Sequence, residues 1–210
     1  MALPLLSLND VTHIGTLNPA DKGHFSWEGN GVSVSLDADA WEQIASLGGY
    51  PRWHLQRDGG SFVSFWELSD FDRETVCAWG VAANLVIRTR KYVFSYRDDE
   101  LDDEMAVLCE SYRQALDEAG SMEVGTDAIS VREVVVATPR MREIMNMDSG
   151  DDAFDHLLGL YVAATSPEVD GVWWEDGYGP MSVPRGVILP HRVASWAATV
   201  LEVGSDLDSD

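Results

Sequence analysis

The chain has 210 residues, 45% of them apolar, with eight tryptophans spread along its length. That is ample for one hydrophobic core and excludes a chain that is disordered throughout. The formal net charge of -22 disfavours free nucleic acid as a partner, and no apolar run approaches the roughly 18 residues that a membrane-spanning helix needs.

In chain order, Val11–Leu17 and Gly31–Leu36 read as short strands. Asp37 has the side chain of an N-cap for a helix to Leu47, which Gly48-Gly49 ends. Arg52–Gln56 and Phe62–Trp66 flank Asp58-Gly59-Gly60, a hairpin signal. Ser69 caps a predicted helix to about Gly80. Ile87–Tyr96 alternates like a strand, Met105–Cys109 returns beside it, and Arg97–Glu104 forms an acidic turn between them. Ser111 caps a helix to Ala119, and Ser130–Ala137 is a β-branched strand. Thr138-Pro139 starts a short helix, since proline fits the first helical position. Ser149–Ala164 reads as another helix. Val172–Trp174, Gly186–Leu189 and Val193–Val203 complete the strands, and Gly204–Asp210 is an acidic tail expected to fray. Hairpins with scattered helices predict an α+β fold, a single domain over residues 1–203.

Cys77 and Cys109 form no C-x-x-C pair and read as reduced, buried thiols of a cytoplasmic protein. The start, Met1–Ser7, lacks the positive flank of a signal peptide. Lys22 and Lys91 are the only lysines. Three accounts of the acidity stay open: adaptation to high salt, a generically acidic protein, or mimicry of nucleic acid against a basic groove. His24, His54, His156 and His191 show no ligand spacing, so no metal is assigned. Arg88, Arg90 and Lys91 form the dense basic cluster, placed to balance the acidic turn.

Two patches carry the chemistry. His13, Gly15 and Thr16 put an imidazole and a hydroxyl on one short strand, with a glycine that admits a flat ring. The loop after Trp173-Trp174 holds Glu175, Asp176, Tyr178 and Ser182 between apolar strands. Neighbouring strand residues point opposite ways, which leaves either one tryptophan to stack on a ring and the other to face the core, or both to pack inside.

His13-Ile-Gly-Thr16, with Gly31-Val-Ser-Val-Ser35 and the helix after it, resembles the opening of the ADP-ribosyltransferase superfamily. Ser182-Val-Pro-Arg-Gly-Val-Ile-Leu-Pro190 with Val193–Val203 resembles the family's acid-bearing and final strands. The resemblance covers the two ends of the chain. It implies mixed and antiparallel sheets with peripheral helices, and NAD as substrate, either hydrolysed or used to modify a macromolecule by a toxin, effector or defence protein. It implies His13, Glu175 and Asp176 as catalytic groups, and His13, Thr16, Ser33, Trp174 and Arg185 as NAD-binding groups. The sequence departs from the family pattern: Ile14 separates His13 from Gly15, Ser33 stands at the stacking tyrosine, and Pro184 and Gly186 stand at the acid positions. The alternative is an inactive acidic interaction protein, a nucleic-acid-mimicking inhibitor whose partner is a basic protein, with no membrane involved.

Overall fold

The computed structural model describes residues 3–18, 31–98, 103–147, 153–176 and 183–201. Tyr178, Ser182, His24, the middle of the acidic turn, the predicted start of the last helix and the tail lie outside the described residues. The fold is α+β. The span expected as one domain divides into two compact units, Met1–Val76 with Asp155–Asp210, and Cys77–Phe154.

The first unit carries an eight-stranded sheet. In chain order its strands are β1 (Leu5–Ser7), β2 (Asp10–Ile14), β3 (Val32–Ser35), β4 (Arg52–Gln56) and β5 (Ser61–Ser64). The second unit supplies β6 (Val86–Asp98), β7 (Asp103–Cys109) and β8 (Ser130–Ala137), and the first resumes with β9 (Gly171–Trp174), β10 (Arg185–Ile188) and β11 (Ala197–Leu201). The spatial order in the large sheet is β1-β5-β9-β10-β3-β2-β4-β11. All pairs are antiparallel except β5 with β9.

The expected hairpin across Asp58-Gly59-Gly60 does not form. β4 pairs with β2, and β5 pairs with β1. Leu8 and Asn9 come between the arms: Leu8 N–H donates to Gly60 O at 3.0 Å and Arg57 N–H to Asn9 O at 2.9 Å. Residues 5–14 and 52–64 thus form one bent ribbon, whose halves join opposite sides of the sheet. Bends of this kind let strands turn a corner around a core. One face gathers Val11, Val32, Val34, Leu55, Phe62, Trp173, Ile188 and Trp196. Trp173 packs against β10 at Gly186, where a Cβ would sit 2.4 Å from the indole.

Asp170, fully buried where β9 begins, ties three segments together. It accepts from Arg57 Nη1 at 2.8 Å, Arg192 Nε at 2.9 Å and Ser61 N–H at 2.9 Å. Helix α1 (Ala38–Ile44) is capped by Asp37, whose carboxylate accepts from Ala40 N–H. Helix α2 (Asp70–Ala82) has Asp70 and Asp72 in its first turn, where carboxylates suit the helix dipole.

In the second unit, β6 lies between β7 and β8, all antiparallel. Helix α3 (Tyr112–Ser121), capped by Ser111, packs Ala115 and Ala119 on Phe94 and Cys109. Cys109 is a buried free thiol and burial pushes its pKa up, whereas Cys77, expected to be buried, is only half-buried. Helix α4 (Pro139–Met145) starts from Thr138 as its sequence predicts. Within the basic cluster Lys91 is buried and reaches Glu110 at 2.9 Å, and Arg88 reaches Glu133 at 3.1 Å. Helix α5 (Ala153–Thr165) ends one residue beyond its predicted end. Among the described residues no helix is long and apolar enough to cross a membrane.

Candidate functional site

The two ends of the chain meet. β9, β10, β3 and β2 are consecutive hydrogen-bonded neighbours, and Trp174, Arg185, Ser35 and Thr12 stand in register across them. Directly opposed residues share a face, so these four form one row. Ser33 lies on the same face, two residues below Ser35.

His13 lies on the other face. It shares that face with Val11 of the core, two residues away, and is itself buried. Both ring nitrogens meet backbone carbonyls, Nδ1 with Ser33 O at 2.7 Å and Nε2 with Thr16 O at 2.9 Å. Burial lowers the imidazole pKa, and the two carbonyl contacts oppose that shift. Gly15, at φ +128°, turns the chain so that Thr16 can fold back onto the ring. Trp53 Nε1 donates to Gly15 O at 2.8 Å and closes the same loop. His13 is therefore a fastener for the end of β2, and its expected catalytic and ribose-binding roles are corrected on that ground.

The expected cleft also fails on distance. Glu175 follows β9, three strands from β2; at about 4.8 Å per strand that is about 14 Å sideways alone. Thr16 is exposed beyond the opposite end of the strands, its hydroxyl accepting from Asn18 N–H at 3.2 Å. His13, Thr16, Ser33 and Glu175 are not brought together.

A different cluster forms at the end of β9. Asp176 pairs with Arg185 and accepts from Trp66 Nε1 at 2.9 Å. A carboxylate held by a guanidinium and an indole N–H is spoken for as a base, so Asp176 positions Arg185 and does not stand free for catalysis. Glu175 is exposed and accepts from Trp173 Nε1 at 3.1 Å. Trp174 is buried, with its ring 5.5 Å from Phe65, and offers no open face for stacking. Trp66, which sequence reasoning passed over, is the exposed indole here at 59%. Its ring stands edge-on to Phe65 at 5.0 Å. Arg73 lies over the Phe65 ring at 4.8 Å and donates to its carbonyl at 3.2 Å.

Charge follows one pattern in this unit. Arg52 pairs with Asp39 and Glu42, Arg57 and Arg192 with Asp170, and Arg185 with Asp176. Glu42 first, then Asp39, hold the Arg52 guanidinium above its ordinary pKa. Four of the five described arginines of the unit are thus paired with carboxylates within it, and the fifth, Arg73, lies on Phe65. Exposed Asp58, Glu67, Asp70 and Glu168 have no ion-pair partner among the described residues.

No protein-family model matches the chain, and neither a curated protein nor a solved structure matches it.

Proposed function

We propose that the chain acts as an acidic binding protein that occupies a basic groove on a partner, in the manner of a nucleic-acid mimic. The charge pattern of the first unit carries this reading: four of its five described arginines are spent on internal carboxylates, and its surface keeps carboxylates that a basic partner can neutralise. Like-charge repulsion among such groups costs stability and is relieved by an oppositely charged surface. The test is whether the chain displaces duplex DNA from a basic DNA-binding protein of its host at low salt.

A second reading, an ADP-ribosyltransferase-like domain that binds NAD and transfers ADP-ribose or hydrolyses the dinucleotide, is favoured by one observation. The two chain ends that resemble the family lie side by side as β9-β10-β3-β2. On that reading Arg185 holds a phosphate, after exchanging Asp176 for it, and Glu175 is the remaining candidate acid. Calorimetric titration with NAD at low and at molar salt, with an assay for NAD consumption, separates the two readings.

A further inference from the structure

The segment from Phe65 to Phe71 puts two large aromatic side chains into solvent within six residues, Trp66 at 59% and Phe71 at 67% exposure. Glu67 and Asp70 lie between them, both exposed. Trp66 is held in place, its N–H on Asp176 and its ring edge-on to Phe65. An aromatic ring held out to solvent has already lost much of the freedom that binding would take from it. Exposed aromatic groups side by side with carboxylates suit a group that is both flat and cationic. Guanidinium is that group: it stacks on an indole face and offers a fork of donors to a carboxylate, which a lysine ammonium does less well. The nearest arginine in the chain, Arg73, is turned to Phe65, lying over its ring and donating to its carbonyl.

We propose that Trp66, Glu67, Asp70 and Phe71 form a docking surface for an arginine-bearing segment of a partner protein. One guanidinium stacks on Trp66 and pairs with Glu67 or Asp70, and an apolar side chain of the partner covers Phe71. The inference rests on the basic-partner reading and adds the place and the residue type. Tryptophan and arginine are also the residues that most often dominate interface energetics.

The probes are three nine-residue peptides of one sequence, rich in arginine, in lysine, or in the neutral isostere citrulline. Each is titrated calorimetrically into the full chain at 0.1 M salt. The arginine peptide binds best, the lysine peptide at least fivefold more weakly, and the citrulline peptide least. Phe71→Ser and Trp66→Ala each weaken the arginine peptide about fivefold, in the range expected from losing a stacked cation and its apolar contact. Phe71→Ser carries the test should Trp66→Ala disturb Asp176. Glu67→Gln with Asp70→Asn weakens it similarly, while Asp58→Asn with Glu168→Gln stays within twofold. Equal binding of arginine and lysine peptides, with equal loss from both carboxylate pairs, overturns the docking surface and leaves the basic-partner reading standing. Failure of every basic peptide to bind overturns both. A dimer that Phe71→Ser converts to monomer assigns the surface to a second copy of the chain and overturns the proposal.

Discussion

Asp170→Asn should be the most damaging single-atom change in the first unit. The carboxylate is fully buried and takes two arginines and one backbone N–H. Removing one partner of a buried ion pair costs about 3–5 kcal/mol, because the other charge stays behind uncompensated. Arg57 and Arg192 keep 24% and 18% of their side-chain surface exposed, so water can recover part of that loss. The expected cost is therefore near the lower end, about 3 kcal/mol. For a chain of this size about 2–4 °C of melting temperature goes with each kcal/mol, so the midpoint should fall by about 6–12 °C. Tryptophan fluorescence is a fitting probe, since Trp173 and Trp196 are both buried in the core beside this network. Arg57→Gln made in the Asp170→Asn background should then cost less than Arg57→Gln alone, by about 0.5–3 kcal/mol of coupling. A midpoint shift below about 2 °C, the bottom of the range for 1 kcal/mol, would refute the reasoning. It would mean that the three segments are held by packing and not by the carboxylate.

His13 has a folded pKa below its ordinary value of 6.5, chiefly because it is buried. The unfolded chain then binds more protons around pH 6, so stability should fall as pH drops from neutral. His13→Gln should remove that part of the pH dependence; urea midpoints that rise as pH falls through 6.5 would show the two carbonyls holding an imidazolium instead. Gly186→Ala should cost about 1–3 kcal/mol, since the new methyl group meets the Trp173 ring; an unchanged urea midpoint would show that the indole shifts freely. Melting temperature should climb from 0.05 M toward 1 M salt as carboxylate repulsion is screened. A flat profile would show that the unpaired carboxylates repel too little to matter.

Much of the fold was legible because its signals are local. Thr138-Pro139, Ser111 and Asp37 each cap the helix that their side chains announce, and Ser130–Ala137 is a strand over the residues its β-branched run marks. The failed hairpin shows the limit. Asp58-Gly59 does make its turn, with Gly59 at φ +67°, but partners for the two arms are chosen by Leu8 and Asn9, some fifty residues earlier. The last predicted strand, Val193–Val203, begins instead as a short 3₁₀ turn before β11, because Ser195 and Trp196 N–H groups bond back to Arg192 and Val193. The site was harder. Both tryptophans pack, and what covers Trp174 is Phe65, on a distant segment. His13-Ile-Gly-Thr16 reads as strand, and that Thr16 folds its carbonyl back onto the imidazole is a three-dimensional fact. Asp170 carries no mark in the sequence, since nothing local tells a buried acid from an exposed one until Arg57 and Arg192 arrive.

The most direct test is competition for a basic groove. The chain is titrated into a complex of duplex DNA with a basic DNA-binding protein of its host, at 0.05 M and at 0.5 M salt, and release of DNA is followed by fluorescence anisotropy. Release at low salt that collapses at high salt, as phosphate contacts do, is the expected result. Retention of DNA on every such protein at 0.05 M salt, together with calorimetric binding and turnover of NAD, would contradict the basic-partner reading and give the molecule to the dinucleotide.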